Sequence, residues 1–230
     1  MKYRAFGAEY APVHGRYIFP RWSNRVAPFA LIGVLGAATT AAAALGYYGT
    51  TKHLEVGYEP VQPVPFSHKL HAGDLGMDCR YCHSTVEKSA FAAIPPTQTC
   101  MNCHDKVLTE SVKLLPVRES AATGKPIPWV RVHNLPDYAY FDHSAHLAAG
   151  VGCSTCHGRV DQMVRVRQVQ PLSMGWCLEC HRNPGPALRD PADITKMDWQ
   201  PDPAALSTVS FTAKNGRELQ PPQHCSGCHR

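Results

Sequence analysis

Residues 66–104 read FSHKLHAGDLGMDCRYCHSTVEKSAFAAIPPTQTCMNCH, and this stretch decides how the chain is built. It begins with Phe-x-His-x-x-His and continues through two copies of Cys-x-x-Cys-His. The same arrangement returns in residues 141–181, and one further Cys-x-x-Cys-His follows later. All ten cysteines lie in these five motifs, which are Cys79/Cys82/His83, Cys100/Cys103/His104, Cys153/Cys156/His157, Cys177/Cys180/His181 and Cys225/Cys228/His229.

Each motif has the spacing of a covalent c-type haem site. On a helical turn, positions i, i+3 and i+4 share one face, so two thiols can form thioethers with the porphyrin rim while the histidine binds the iron. The sequence therefore predicts five c-type haems, with thioethers from all ten cysteines. The predicted proximal iron ligands are the five motif histidines, His83, His104, His157, His181 and His229.

Zinc sites and disulfides are the other common uses of such cysteine pairs. Structural zinc sites often combine two Cys-x-x-Cys pairs. Here the number of pairs is odd and a histidine directly follows each pair. Disulfides between the pairs would leave the repeated histidine unexplained. Haem attachment accounts for both features, and we adopt it.

The histidine pair that begins each repeat is the candidate source of distal iron ligands. Histidines three apart on a helix are displaced by about 4.5 Å along its axis, too little for both to bind one iron from the same side. They are better interpreted as ligands of two different haems, although the spacing does not say which serves which. The four predicted distal ligands are His68, His71, His143 and His146.

A fifth haem requires another distal ligand if it is to be six-coordinate. We favour His133, with Met174 as the alternative because it precedes Cys177 and methionine is a known axial ligand. The other candidates are Met163, His224, His53 and His14. The sequence has no Cys-x-x-Cys-Lys variant. We therefore expect haems that relay electrons, and we assign no catalytic residue.

The N-terminus has the pattern of a membrane anchor. Residues 27–49 are an uncharged apolar run long enough to cross a bilayer as a helix of about 34 Å. The basic flank in residues 1–26 predicts a cytoplasmic N-terminus and places residues 50–230 in the periplasm. A cleaved signal peptide ending near Ala41–Ala43 is the alternative. Of the formal net charge of +5, residues 1–25 carry +4, and a basic stretch confined to this flank gives no reason to expect a nucleic-acid partner.

Residues 50–230 are predicted to be a single pentahaem domain. With roughly 36 residues for each haem, porphyrin must replace much of an ordinary side-chain core. Twenty prolines and seventeen glycines favour turns. We predict a mostly irregular and α-helical fold with short helices around the haems and little β-structure. Repeat modules at 66–104 and 141–181 are joined by residues 105–132, and residues 183–230 deliver the fifth haem.

Three segments carry a resemblance to a known family: VPFSHKLHAGDLGMDCRYCH at 64–83, VHNLPDYAYFDHSAHLAAGVGCSTCH at 132–157 and PLSMGWCLECHRNP at 171–184. Together with the single anchor and the five motifs, they make the chain similar to the pentahaem membrane-anchored cytochrome c subunit of alternative complex III. The resemblance covers nearly the whole chain.

The resemblance implies an electron-relay role within a quinol-oxidising complex of the bacterial cytoplasmic membrane. The implied partners are an iron–sulfur, molybdopterin-like subunit, polytopic quinone-binding membrane subunits and a monohaem cytochrome c. Two other hypotheses remain. The chain could be a self-contained, membrane-anchored multihaem quinol dehydrogenase, or a free periplasmic electron shuttle if its anchor is removed.

Overall fold

The computed structural model describes residues 20–201 and 219–229. The chain divides into two compact units, Met1–Gly49 and Thr50–Arg230. In the first unit, a 3-10 turn at Arg21–Arg25 leads into helix α1, Val26–Tyr48, which begins and ends one residue before the predicted span. The segment Trp22–Tyr48 is long and apolar enough to cross a membrane, and none of its most apolar window is buried. Most of the predicted basic flank, including His14, lies outside the described residues.

The second unit is built from short helices. Their bounds are α2 Thr51–Leu54, α3 Cys79–Cys82, α4 Thr97–His104, α5 Leu115–Thr123, α6 His143–Ala148, α7 Cys153–His157, α8 Met174–Arg182 and α9 Cys225–Cys228. Single 3-10 turns occur at Val112–Leu114, Val160–Gln162, Gly185–Ala187 and Pro191–Asp193. Within residues 20–201 and 219–229, β-structure is limited to two isolated antiparallel bridges, Ala139 with His229 and Val151 with Leu188. The predicted mostly helical and irregular fold is confirmed.

Side-chain caps start three of the helices that carry predicted site residues, α3, α6 and α8. Asp78 accepts a 2.8 Å hydrogen bond from the amide of Arg80 at the start of α3. Asp142 does the same for Ser144 in α6, also at 2.8 Å. Such caps satisfy amide groups that have no partner inside the helix, and each contributes about 1 kcal/mol. Short helices can therefore begin at fixed residues, which places the histidines that follow.

The ligand pair of the first repeat lies beside a wider helical turn than that of the second. Residues Lys69–Asp74 form a π-helical turn, whereas the second repeat uses the α-helix α6. Between its second histidine and its next cysteine, the first repeat has one residue more than the second. A π-turn accommodates one extra residue in a helix. The insertion is thereby absorbed without displacing the histidines.

The buried apolar core joins the two repeats and is small. Val86 follows the first motif, Leu147 lies on α6 and Ile194 follows α8, and these three side chains pack into one cluster. A separate polar anchor lies at Gln168, which is only 2% exposed. Its backbone bonds to Gly57 and Tyr58 at 2.8 and 3.0 Å, and its side-chain amide donates to Glu55 at 3.3 Å. Residues 55–58 are thus fixed to the segment that follows the third motif.

Candidate haem-binding sites

Four of the five motif histidines are oriented by a backbone carbonyl. In each, Nδ1 lies within hydrogen-bonding distance of a carbonyl oxygen, and a carbonyl can only accept, so Nδ1 carries the proton. The lone pair is then left on Nε2, as a metal ligand requires. The pairs are His83 with Ala93 at 2.7 Å, His104 with Val107 at 3.0 Å, His181 with Pro222 at 2.7 Å and His229 with Tyr138 at 3.0 Å.

Three of the four predicted distal histidines show the same arrangement. Nδ1 of His71 donates to the carbonyl of Ser67 at 2.9 Å, and Nδ1 of His146 donates to that of Asp142 at 2.7 Å. Nδ1 of His143 donates to the carbonyl of Ala90 at 2.7 Å, which ties the second repeat to the loop after the first motif. Nδ1 of the fourth, His68, is buried and has no hydrogen-bond partner.

Predicted distal and predicted proximal imidazoles form three pairs with the separation expected for two ligands of one iron. A metal–imidazole nitrogen bond is about 2 Å long, so two imidazoles on opposite sides of one iron have centroids about 6 Å apart. The observed centroid separations are 6.2 Å for His71 and His104, 6.3 Å for His143 and His157, and 6.1 Å for His146 and His181. These separations indicate which histidine pairs with which motif, a question that the sequence left open. In the second repeat, His143 pairs with the first of the two motifs. In both repeats, the second histidine, His71 or His146, pairs with the second motif.

His68 fits the remaining position of this scheme. Burial lowers the pKa of His68 from 6.5 to about 4, and the next largest contribution is electrostatic repulsion from His83. His68 therefore lies close to His83, the predicted proximal ligand of the first motif. Burial likewise lowers the pKa of His157 to about 3. Both imidazoles are neutral at physiological pH, the state in which a histidine can donate a lone pair to iron.

The phenylalanine that begins each repeat positions both histidines that follow it. Phe66 stacks on His71 at 4.3 Å between centroids and meets His68 edge-on at 4.9 Å. Phe141 contacts His146 at 4.4 Å and His143 edge-on at 4.7 Å. The interplanar angles also agree between the repeats. They are 26° and 31° for the contacts with the second histidine, and 89° and 87° for the edge-on contacts with the first. Sequence reasoning found this residue as part of the repeat but missed its role.

The candidates for a fifth distal ligand are dispersed. His133 packs edge-on against His157 at 4.4 Å, so it lies at the third motif. The ring of Tyr138 lies 5.7 Å from that of His229. Met174 is 63% exposed at the start of α8, whereas Met163 is buried. His224 directly precedes α9, and His53 lies in α2.

Cysteines of different motifs lie near one another. Interaction with the neighbouring Cys79 thiol, together with burial, raises the pKa of Cys153. Burial raises the pKa of Cys156 to about 12, with smaller contributions from Cys180 and Cys177. Burial also raises the pKa of Cys82, with a smaller contribution from the nearby Cys100 thiol. Burial raises the pKa of Cys177 in the same way, with a smaller contribution from the Cys228 thiol. Each motif therefore has at least one neighbouring motif.

Arg189 supports the third motif and was not found by sequence reasoning. Its guanidinium donates to Thr155 at 3.2 Å and to Ser154 at 3.3 Å, the two residues between the motif cysteines. It also lies 4.2 Å above the ring of Trp199. A cation fixed here raises the local electrostatic potential at the third motif. No sequence pattern marked it, because these partners lie 34 and 35 residues away.

Two blocks of the chain, residues 64–119 and 139–230, match the family described as cytochrome c7 and related cytochrome c. Each block contains one Phe-x-His-x-x-His repeat. The chain belongs to this family of multihaem cytochromes c. It is therefore an electron-transfer protein that carries c-type haem. The opposed imidazoles and the Nδ1-bonded histidines fit that group.

A relative of this cytochrome is the multiheme cytochrome c subunit of menaquinone reductase from Nitratidesulfovibrio vulgaris (strain Hildenborough). The two are 40% identical over 97 residues, which is 42% of this cytochrome and 45% of the relative. The aligned part thus spans less than half of the relative's length.

Proposed function

We propose that this cytochrome is the pentahaem electron-relay subunit of a membrane-bound quinol-oxidising complex of the alternative complex III type. The observation that carries the proposal is the set of three opposed imidazole pairs. Ligation from both sides leaves no position on the iron for a substrate, and this arrangement suits electron transfer. The haems supply the one-electron chemistry, and the chain supplies attachment, axial ligands and orientation.

The proposed site residues follow from the motifs and from the opposed pairs. Thioether attachment is assigned to the ten cysteines and proximal ligation to the five motif histidines. Distal ligation is assigned to His68, His71, His143 and His146, paired with the first to the fourth motif in that order. The position of His133 against His157 gives no support to its assignment as the fifth distal ligand, and we leave the choice between it and Met174 to experiment.

The proposed organisation has a cytoplasmic flank in residues 1–26, a membrane span in residues 27–49 and a periplasmic haem domain in residues 50–230. A retained span would hold the domain in a membrane complex. The proposed partners are an iron–sulfur, molybdopterin-like subunit, polytopic quinone-binding subunits and a monohaem cytochrome c. The relative is a subunit of a menaquinone reductase, and this supports the proposal that the present cytochrome also belongs to a complex that acts on a quinone.

The name of that relative also favours a second candidate function. A complex containing this cytochrome could pass electrons toward menaquinone rather than away from quinol. The chain's own residues would act in the same way in either direction, because the opposed imidazoles stabilise a closed coordination sphere irrespective of the electron source. Direction is therefore a property of the assembled complex, and it requires an assay of that complex.

The experiment is purification of the native protein in a mild detergent, followed by intact mass and identification of the bound proteins. We expect the full-length chain, a mass increase corresponding to five haems, and co-purifying iron–sulfur and polytopic subunits. Quinol oxidation and menaquinone reduction by the purified complex then distinguish the two directions. Isolation of this chain alone with quinol oxidation activity would contradict the proposal and identify it as a self-contained dehydrogenase. A mass lacking the N-terminal segment would indicate a free shuttle.

A further inference from the structure

Two hydrogen bonds join the repeats through equivalent residues. The amide of Lys69 donates to the carbonyl of Met163 at 2.9 Å, and the amide of Ser144 donates to that of Ser89 at 3.3 Å. Lys69 and Ser144 each directly follow the first histidine of their ligand pair. Met163 and Ser89 are each the sixth residue after the histidine of the first motif in their repeat. The same bond is thus made twice, once in each direction.

A third contact obeys the same relationship. Cys79 and Cys153 are the first cysteines of their respective repeats, and their side chains are neighbours. When residue i contacts j of a partner and j contacts i, the two bodies are related by a two-fold axis. The contact between equivalent cysteines lies on that axis. The repeats therefore meet head to head through their first motifs, the first and third of the chain.

Further bonds reinforce this junction. Thr195 donates to the carboxylate of Asp78, the cap of α3, at 3.0 Å. The adjacent Ile194 accepts from the amide of Cys153 at 2.9 Å. One short segment therefore holds the start of α3 and the start of α7 together.

Within each repeat, the second motif lies next to the first. Asn102 in the second motif donates to the hydroxyl of Tyr81 in the first at 3.2 Å. In the second repeat, α6 carries His143, which faces the third motif, and His146, which faces the fourth. The second motif is thus adjacent to the first, and the fourth is adjacent to the third.

The fifth motif is attached to the fourth. Nδ1 of His181 donates to the carbonyl of Pro222 at 2.7 Å, and the side chain of Gln223 donates to the carbonyl of His181 at 3.4 Å. These two residues lead directly into α9. The amide of Tyr140, which begins the approach to the second repeat, also donates to the carbonyl of Cys228 at 2.8 Å.

We propose that the five motifs form one unbranched electron path in the spatial order second, first, third, fourth, fifth, with exchange to other redox proteins at its two ends. The inference rests on the proposed pentahaem function. Exposure agrees with it, since the two cysteines that are exposed, Cys103 and Cys225, belong to the two end motifs. The chain order of the first two motifs is reversed along the path, because the two-fold contact places the first motif, rather than the second, next to the third.

The test measures electrostatic coupling between pairs of haems, each identified by its own distal-ligand variant. A His→Met change raises the potential of one haem and so marks it in a potentiometric titration. The first pair combines His68→Met with His143→Met, which marks the first and third motifs. The second pair combines His71→Met with His146→Met, which marks the second and fourth. The measured quantity is the shift that oxidation of one marked haem causes in the midpoint potential of the other. We expect this shift to be at least about twofold larger for the first pair, because Coulomb energy falls with distance.

Equal coupling in the two pairs, or stronger coupling between the second and fourth motifs, would overturn the order. If a double variant fails to fold, amide hydrogen exchange of the unmodified holoprotein provides a second measurement. The amides of Lys69 and Ser144 should both be protected, and rapid exchange of both would contradict the head-to-head contact. A mass showing fewer than five haems would instead contradict the proposed pentahaem function. The coupling test uses only the first four motifs, so failure of the proposed order and failure of the proposed function can be told apart.

Discussion

The imidazole rings of His143 and His157 are parallel within 8°, with their centroids 6.3 Å apart. The rings of His71 and His104 are separated by nearly the same distance but are inclined at 64°. The relative orientation of two axial imidazoles controls the splitting of the iron d orbitals. Parallel planes separate these orbitals more than inclined planes do. The third and second haem sites should therefore give distinct electron paramagnetic resonance signals.

The pairing of ligands and motifs predicts two separable effects in the second repeat. His143→Met should raise the midpoint potential of the third haem, and His146→Met that of the fourth, because a methionine ligand raises haem potential. Potentiometric titration with resonance detection measures both. His53→Gln in α2 is the control and should shift neither haem. If both methionine variants altered the same signal, the pairing would be wrong.

Burial should protect the first haem site against acid. The pKa of His68 is about 4 in the folded protein, against 6.5 for an ordinary histidine. The folded state keeps its full stability above pH 6.5, where this side chain is neutral in both the folded and the unfolded chain. It loses stability as the pH falls from 6.5 to about 4, because the unfolded chain takes up the proton first. Protons compete with iron for this imidazole only below the folded pKa. We expect the low-spin visible spectrum to persist from pH 7 to about 4 and to become high-spin below it. Conversion centred near pH 6 would contradict a buried ligand.

Arg189 should both stabilise the third motif and raise the potential of its haem. Arg189→Gln removes the cation above Trp199 and the bonds to Ser154 and Thr155. We expect a loss of about 1–2 kcal/mol in the free energy of unfolding. We also expect a lower midpoint potential at the third haem, because reduction is no longer favoured by the nearby charge. Arg165→Gln, an exposed arginine, is the matched control for calorimetry and titration. An unchanged potential with lowered stability would limit Arg189 to a structural role.

Gln168→Ala should loosen residues 55–58. The change removes the side-chain bonds to Glu55 at 3.3 Å and to the carbonyl of Gln170 at 3.0 Å, and it opens a cavity in a buried position. The expected cost is about 2–3 kcal/mol in the free energy of unfolding. Thermal denaturation measures the loss, and faster hydrogen exchange of the Gly57 amide locates it. Gln98→Ala, at an exposed position, should lower stability by less than about 0.5 kcal/mol.

His133→Ala tests whether His133 lies at the third haem, next to His157, or binds the iron of the fifth haem. Because His133 packs on His157, we expect the signal of the third haem to change and that of the fifth to remain. Resonance spectra of the oxidised protein measure both. Loss of a low-spin signal from the fifth haem would restore His133 as its ligand. Met174→Leu is the parallel test of the alternative.

The motifs and the histidine pairs could be recognised in the sequence because their chemistry depends on residue identity and short spacing, and ligation by the histidine pairs stays a prediction. The fold class follows from the same motifs, since few residues are left to form an ordinary core. The pairing of His71 with His104 could not be predicted, because helical spacing shows only that two histidines serve different irons. The junction of the repeats could not be predicted either. Its bonds from Lys69 and Ser144 use backbone amides and carbonyls, which every residue possesses.

The reciprocal bonds between the repeats give this chain a property of symmetric dimers. Each repeat carries a self-complementary surface, so a peptide containing one repeat would present to a second copy the contacts that its neighbour makes here. In the single chain, residues 105–140 make this association intramolecular, and it therefore does not weaken when the protein is diluted. The molecule is in this respect a tethered pseudo-dimer, followed by the segment that carries the fifth motif.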